Sequence, residues 1–117
     1  MKVERIISSP YTRAIQTIQP LANQLNIEIE INNQLAERSL SSIPFSDWFE
    51  KLRATFDDFH LKYEGGESSQ EATGRIVSVV NTVINEGGEN TIIVTHGNIM
   101  ALLLNFYNKE FGFEDWE

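Results

Sequence analysis

Two short polar segments could do chemistry, because each follows an apolar run and contains a cation or an imidazole. Residues 8–13 (SSPYTR) place Arg13 within the first turn of a predicted helix. Residues 95–98 (THGN) place His96 directly before another predicted helix. If parallel strands bring both segments to the same edge of a sheet, an arginine, an imidazole and two helix N-termini converge there. That combination favours binding of an anion such as phosphate.

The elements that must position these segments alternate between strands and helices. Apolar runs predict strands over residues 3–8, 27–31 and 91–95, the second at a sheet edge and the third buried on both faces. Apolar spacing on one face predicts helices that end near residue 26, span 46–59, start at 68, and follow 97. The fold class is therefore α/β, a three-layer sandwich with a mostly parallel sheet.

Capping residues predict where the helices begin and end. Ser9 fits the N-cap of the first helix, with Pro10 in its first turn. Pro20 should kink that helix, because its ring clash and missing N–H cost about 3 kcal/mol. Residues 68–71 (SSQE) predict a capping box, and residues 87–88 (GG) end the helix that it opens.

The composition excludes several classes of function. The 117 residues fit one domain, and their formal charge of -8 repels nucleic acid and anionic membranes, so we expect neither as a partner. The absence of cysteine excludes disulfides, thiolate metal sites and thiol nucleophiles. No run suits a membrane span or a signal peptide, so we expect a cytoplasmic location.

Four segments resemble the motifs of one family. The motifs are SSxxxRAxxT, LxER, GGES and V-(S/T)-H-G-G, and the matching residues are 8–17 (SSPYTRAIQT), 35–38 (LAER), 65–68 (GGES) and 94–98 (VTHGN). In this order and spacing the chain resembles the histidine phosphatase superfamily, which includes the cofactor-dependent phosphoglycerate mutases. The resemblance implies a phosphoglycerate mutase-like fold, with residues 1–117 as a single domain that is truncated relative to complete members.

The resemblance also implies roles for individual residues. The family transfers a phosphoryl group to a histidine and then to water or a second hydroxyl, which is hydrolase or isomerase chemistry. Arg13 would clamp the phosphate, His96 would donate to the transferring group, and Glu37 would protonate the leaving oxygen. Gly97 would allow close backbone approach, and Ser9 would help to position the phosphate. The resemblance implies no metal and no other cofactor.

The sequence departs from the family at the position of its nucleophile. The motif R-H-G-x-T has no counterpart, since the only histidines are His60 and His96 and no Arg-His pair occurs. We expect His60 to be a surface side chain and Glu67 a charge favoured at a helix start. Residues 38–46 also lack the glycines that usually follow LxER, and Asn98 stands where the late motif has its second glycine. Residues 111–117 look like the point where complete members continue, so we expect C-terminal strands to be missing.

Three interpretations remain open. The first is a catalytically incomplete domain that binds phosphate or a small phosphorylated ligand weakly. The second is an active phosphatase or mutase whose N-terminal segment is missing from this chain. The third is a non-enzymatic module that assembles with itself. The resemblance implies a further strand between those of residues 3–8 and 91–95, so without it the sheet either closes or exposes two apolar edges. Exposed edges predict a homo-oligomer.

Overall fold

The structure is a computed structural model that describes residues 2–41, 46–87 and 90–110. Its three strands are β1 (Arg5–Ser8), β2 (Ile29–Ile31) and β3 (Thr91–Val94). Its four α-helices are α1 (Thr12–Leu25), α2 (Trp48–Asp57), α3 (Ser69–Glu86) and α4 (Gly97–Tyr107), and a single 3-10 turn spans Asn33–Leu35. The predicted elements therefore form in the predicted order, with ends that differ by a few residues.

The sheet is parallel and has the strand order β2-β1-β3. Ile6 of β1 is aligned with Ile29 of β2 on one side and with Ile92 of β3 on the other. Of the two alternatives expected for a sheet that lacks a strand between residues 3–8 and 91–95, closure is confirmed, because β1 and β3 are hydrogen-bonded directly. The strand that we predicted to lie at an edge, β2, does so. Within the described chain, β3 forms the opposite edge.

Helices cover both faces of the sheet, so the predicted three-layer α/β architecture is confirmed. On one face, Ile6 packs with Ile18 and Ala22 of α1. On the other face, Ile7 packs with a cluster from the 3-10 turn, α3 and α4: Leu35, Ala72, Ile76, Val77, Val79, Ile99 and Leu102. These two apolar clusters hold the carboxyl ends of β1 and β3 side by side.

Two local expectations need correction. Ser9 is not the N-cap of α1, since that position is Tyr11 and the Ser9 hydroxyl instead accepts a hydrogen bond from the Tyr11 N–H at 3.2 Å. Helix α1 runs through Pro20, which lies on its exposed side, and the kink expected there stays a prediction. Strand β3 is half-buried along its length rather than fully buried, because only β1 pairs with it among the described residues.

The ends of α3 agree with the sequence. Ser68 accepts a hydrogen bond from the Glu71 N–H while the Glu71 carboxylate accepts from the Ser68 N–H, which is the predicted capping box. The C-cap is Gly87 with a φ of 65°, where glycine is favoured. The described residues do not include residues 42–45, Gly88 or residues 111–117. None of the described helices is long and apolar enough to cross a membrane.

Candidate anion-binding site

The candidate site forms where β1 and β3 end, because these parallel neighbours have their carboxyl ends at the same edge of the sheet. The Ser9 N–H donates to the Val94 carbonyl at 2.9 Å, which extends the ladder by one residue beyond β1. This pairing places Ser9 beside the segment that contains His96. The structure therefore brings together two polar segments that are 87 positions apart in the sequence.

The His96 ring is held at both nitrogens. Its Nε2 lies 2.8 Å from the Ser9 Oγ, and its Nδ1 lies 3.4 Å from Nη2 of Arg13. A guanidinium can only donate, so Nδ1 of the neutral ring must accept. The ring hydrogen is therefore on Nε2 and is donated to Ser9. His96 thus contacts two other predicted site residues, Ser9 and Arg13.

This tautomer decides what Ser9 can do. A serine within hydrogen-bond distance of a histidine resembles a nucleophile and its general base. A base would need a free lone pair on Nε2, but here Nε2 carries the hydrogen. Ser9 accepts from His96 and from the Tyr11 N–H, and its side chain is fully buried. Ser9 therefore orients the imidazole and is not activated as a nucleophile.

Tyr11 also belongs to the site, although its residue type did not predict a role there. Its ring centroid lies 4.7 Å from that of His96, and the Arg13 guanidinium lies 5.1 Å from the Tyr11 ring centroid. A cation at this distance from an aromatic face is attracted to it. Tyr11 thus contacts both residues. Its position between Ser9 and Arg13 in the first motif was the only available signal.

A cavity of about 220 Å³ lies against these residues and can accommodate a tetrahedral anion. Its lining is Arg13, Ala14, Thr17, Val94, Thr95 and His96. A larger open groove of about 590 Å³ lies between α1 and β2, but its lining contains Glu28 and no cation. The smaller cavity is therefore the candidate anion site, because it combines the guanidinium with the imidazole.

The electrostatics of the cavity favour a neutral His96 in the free protein. Burial lowers the pKa of His96 below its usual range, and the Arg13 cation lowers it further. The Glu37 carboxylate acts in the opposite direction but does not outweigh the burial. An anion bound beside the ring would favour the protonated form, so its binding should be coupled to proton uptake.

Glu37 lies at the N-terminus of α4 rather than in contact with Arg13 or His96. Its Oε2 accepts from the Asn98 N–H at 3.1 Å, and its Oε1 accepts from the Ile99 N–H at 2.9 Å. Oε1 also accepts from the Arg38 N–H at 2.9 Å. The Glu37 carboxylate thus accepts from three N–H groups. The role of Glu37 as a proton donor stays a prediction. That role would require Glu37 to release at least one of these three hydrogen bonds.

The remaining candidates occupy different places. Gly97 is exposed and is the first residue of α4, directly after His96. His60 is exposed, as expected for a surface side chain, and Glu67 forms an ion pair with Arg75 at 2.6 Å. Within residues 2–41, 46–87 and 90–110, no cluster of His, Asp or Glu is arranged to hold a metal ion.

Comparisons with known proteins agree with this architecture. The family model described as the histidine phosphatase superfamily (branch 1) matches residues 1–116. A mycobacterial glucosyl-3-phosphoglycerate phosphatase in complex with inorganic phosphate is similar in structure, with a TM-score of 0.74, 20% identity, and coverage of 92% of this chain and 60% of that one. No curated protein matches in sequence.

Two further structures are similar at low identity. A phosphoglycerate mutase from Bacillus anthracis has a TM-score of 0.72 and 15% identity, with coverage of 94% of this chain and 61% of that one. The protein YhfR of Bacillus stearothermophilus has a TM-score of 0.69 and 24% identity, with coverage of 93% and 58%. These likenesses establish the shared fold. The chain spans about three fifths of the length of each.

Proposed function

The chain belongs to branch 1 of the histidine phosphatase superfamily, and we propose that residues 1–117 bind phosphate or a small phosphorylated ligand in the cavity between Arg13 and His96. We propose further that these residues do not catalyse phosphoryl transfer at a normal rate. The second statement rests on the histidine content of the sequence, which offers only His60 and His96.

One observation supports the binding proposal above the others. Arg13 and His96 come from different strand ends, yet their side-chain nitrogens meet at 3.4 Å on the wall of one cavity. A guanidinium can bind two oxygens of a phosphoryl group, and the imidazole can donate to a third once it is protonated. One structural neighbour is a phosphatase in complex with inorganic phosphate, which is consistent with a site for the same anion here.

The proposed lack of turnover rests on the surroundings of the two histidines. Phosphoryl transfer through a covalent intermediate needs a neutral imidazole with a free nitrogen directed at phosphorus. Both nitrogens of His96 contact Ser9 and Arg13, and His60 is exposed and does not line the cavity. Loss of a nucleophile costs many orders of magnitude in turnover, whereas binding can survive it.

A second candidate function is phosphatase or mutase activity in a longer protein that contains these residues. The observation that favours it is that the similar structures include phosphatases and a mutase and are longer than this chain. In that case the cavity would hold the phosphoryl group while a histidine from outside these residues attacked it. Arg13, His96 and Glu37 would then act as clamp, donor and acid.

Hydrolysis of 4-nitrophenyl phosphate by the purified chain tests the proposal that residues 1–117 alone are inactive. We expect no hydrolysis above the buffer rate, together with measurable binding of inorganic phosphate by calorimetry. The variants Arg13→Ala and His96→Ala should each abolish the binding of inorganic phosphate. Hydrolysis that disappears in both variants would overturn the proposal that the chain is inactive.

We also propose that two copies of the chain associate through β3. The two edges of the sheet differ in charge, since β2 contains Glu30 whereas β3 contains no charged residue. The whole stretch from residue 91 to 107 lacks Asp, Glu, Lys and Arg. In a molecule of charge -8, an uncharged edge is where two copies repel each other least.

A cytoplasmic location stays a prediction.

A further inference from the structure

Helix α4 begins at an unusual N-cap. Its N-cap residue is His96, whose side chain makes no capping hydrogen bond. The first N–H groups of a helix need acceptors, which a Ser, Thr, Asp or Asn at the N-cap usually supplies. Here Glu37 supplies them, because its two carboxylate oxygens accept from the N–H groups of Asn98 and Ile99. A residue from another segment therefore caps α4, and the His96 ring remains directed at the cavity.

Arg75 of α3 holds the backbone that leads into Glu37. Its Nη1 donates to the Gln34 carbonyl at 2.6 Å and to the Ala36 carbonyl at 2.8 Å. Gln34 and Ala36 shortly precede Glu37 in the chain. The two hydrogen bonds therefore fix the backbone from which the Glu37 side chain extends. The Arg75 side chain is 17% exposed, which limits competition from water. Neither the motifs nor the periodicity of the sequence identified this residue.

Glu67 in turn orients Arg75. Its Oε1 accepts from Nη2 of Arg75 at 2.6 Å, and its Oε2 accepts from Nε of Arg75 at 3.3 Å. Oε1 also accepts from the Ser39 N–H at 3.0 Å. Glu67 therefore connects Arg75 to Ser39, which follows Glu37 by two residues. A two-pronged contact of this kind fixes the plane of the guanidinium as well as its distance.

The segments of residues 34–40 and 65–69 form one packed unit around this pair. The backbones meet so closely that a Cβ on Gly66 would lie 2.0 Å from the Leu40 carbonyl oxygen. The Glu67 N–H donates to the Ser39 carbonyl at 2.7 Å, and the buried Arg38 donates from Nη1 to the Ser69 Oγ at 3.1 Å. The LxER and GGES segments therefore pack together as one structural unit.

We propose that Arg75 and Glu67 are positioning residues for His96. They hold the segment of Glu37 so that its carboxylate caps α4, and the cap leaves His96 free to contact Ser9, Arg13 and a bound anion. The anion-binding part rests on the proposed function. The capping part does not, because every contact that it uses lies between residues of the chain itself.

Amide hydrogen exchange in the ligand-free chain tests the capping directly. The variant is Arg75→Met, and the matched control is Arg5→Met, which removes an arginine that makes a comparable two-pronged contact with Glu30 at 2.8 and 3.0 Å. We expect the amides of Asn98 and Ile99 to exchange at least about tenfold faster in Arg75→Met than in Arg5→Met, because the cap opens locally. Glu67→Gln should act in the same direction and serves if Arg75→Met does not fold.

A binding measurement on the same variants separates this inference from the proposed function. Sulfate affinity should fall in Arg75→Met and remain near wild type in Arg5→Met. Equal exchange at Asn98 and Ile99 in the two variants would overturn the positioning role. Faster exchange in a chain whose wild type binds no sulfate would leave the positioning of α4 intact and refute the anion-binding proposal alone.

Discussion

Among single residues, His96 controls anion binding at the cavity through its protonation. The pKa of this imidazole lies below its usual range, chiefly because the ring is buried. The free protein therefore holds a neutral ring near pH 7, and a bound anion should draw a proton onto it. Sulfate is the suitable probe, because it does not titrate between about pH 5 and 8 and so does not confuse the measurement.

We expect sulfate affinity to rise as the pH falls. Uptake of one proton on binding gives a slope of up to about tenfold per pH unit between the free and bound pKa values of His96. Calorimetry from about pH 8 down to about pH 5 measures this slope. His96→Ala should remove the pH dependence as well as most of the affinity. An affinity that is independent of pH in the wild type would show that His96 does not take up a proton.

Ser9 gives a second prediction at this scale. Ser9→Ala leaves the buried Nε2–H of His96 and the Tyr11 N–H without their acceptor. We expect the free energy of unfolding to fall by about 1–3 kcal/mol, measured by urea denaturation. The control Ser78→Ala changes an exposed residue of α3 and should stay within about 0.5 kcal/mol of wild type. Equal losses in the two variants would mean that the hydroxyl does not satisfy the ring.

At the scale of elements, two glycines near and in α3 test the close packing of the loops. A Cβ on Gly66 would overlap the Leu40 carbonyl, whereas a Cβ on Gly74 meets nothing within 4 Å. Gly66→Ala should therefore destabilise the chain by about 1–3 kcal/mol or more. Gly74→Ala should stabilise it by up to about 1 kcal/mol, because alanine is the better helix former. Thermal unfolding of both variants measures the difference, and a neutral Gly66→Ala would contradict the close approach.

The elements also show what the sequence could and could not predict. The strands, the capping box of α3 and the proximity of Arg13 and His96 follow from local patterns and from the rule for parallel strand ends. The half-buried state of β3 could not be predicted, since an apolar run looks the same whether one or two strands pair with it. The contact of Arg75 with the carbonyls of Gln34 and Ala36 depends on the path of a loop, which has no periodic signal.

At the scale of the whole molecule, the sheet edges predict self-association. The Asn90 and Val94 carbonyls accept hydrogen bonds from the segment of β1, so the alternating Ile93 N–H faces away from β1, on the side where we propose that a second copy pairs. Ile93→Pro should remove that donor and yield a monomer by sedimentation velocity. In the opposite edge strand, the Asn32 N–H donates to the Ser8 carbonyl, so the Ile31 N–H also faces outward.

Ile31→Pro is therefore the matched control, and it should leave the proposed dimer intact. Circular dichroism verifies that both proline variants are folded, since an edge strand tolerates proline where its N–H is not in the ladder. A wild-type chain that sediments as a compact monomer at every concentration would contradict the association through β3.

The most direct test of the whole account is a titration of the isotope-labelled chain with inorganic phosphate, followed by NMR. We predict saturable shifts of the His96 ring and the Arg13 side chain, lost in Arg13→Ala and retained in Arg53→Ala, which removes the same charge from α2. Signals of Arg13 and His96 that do not move at any phosphate concentration would contradict the claim that this cavity binds a phosphoryl anion.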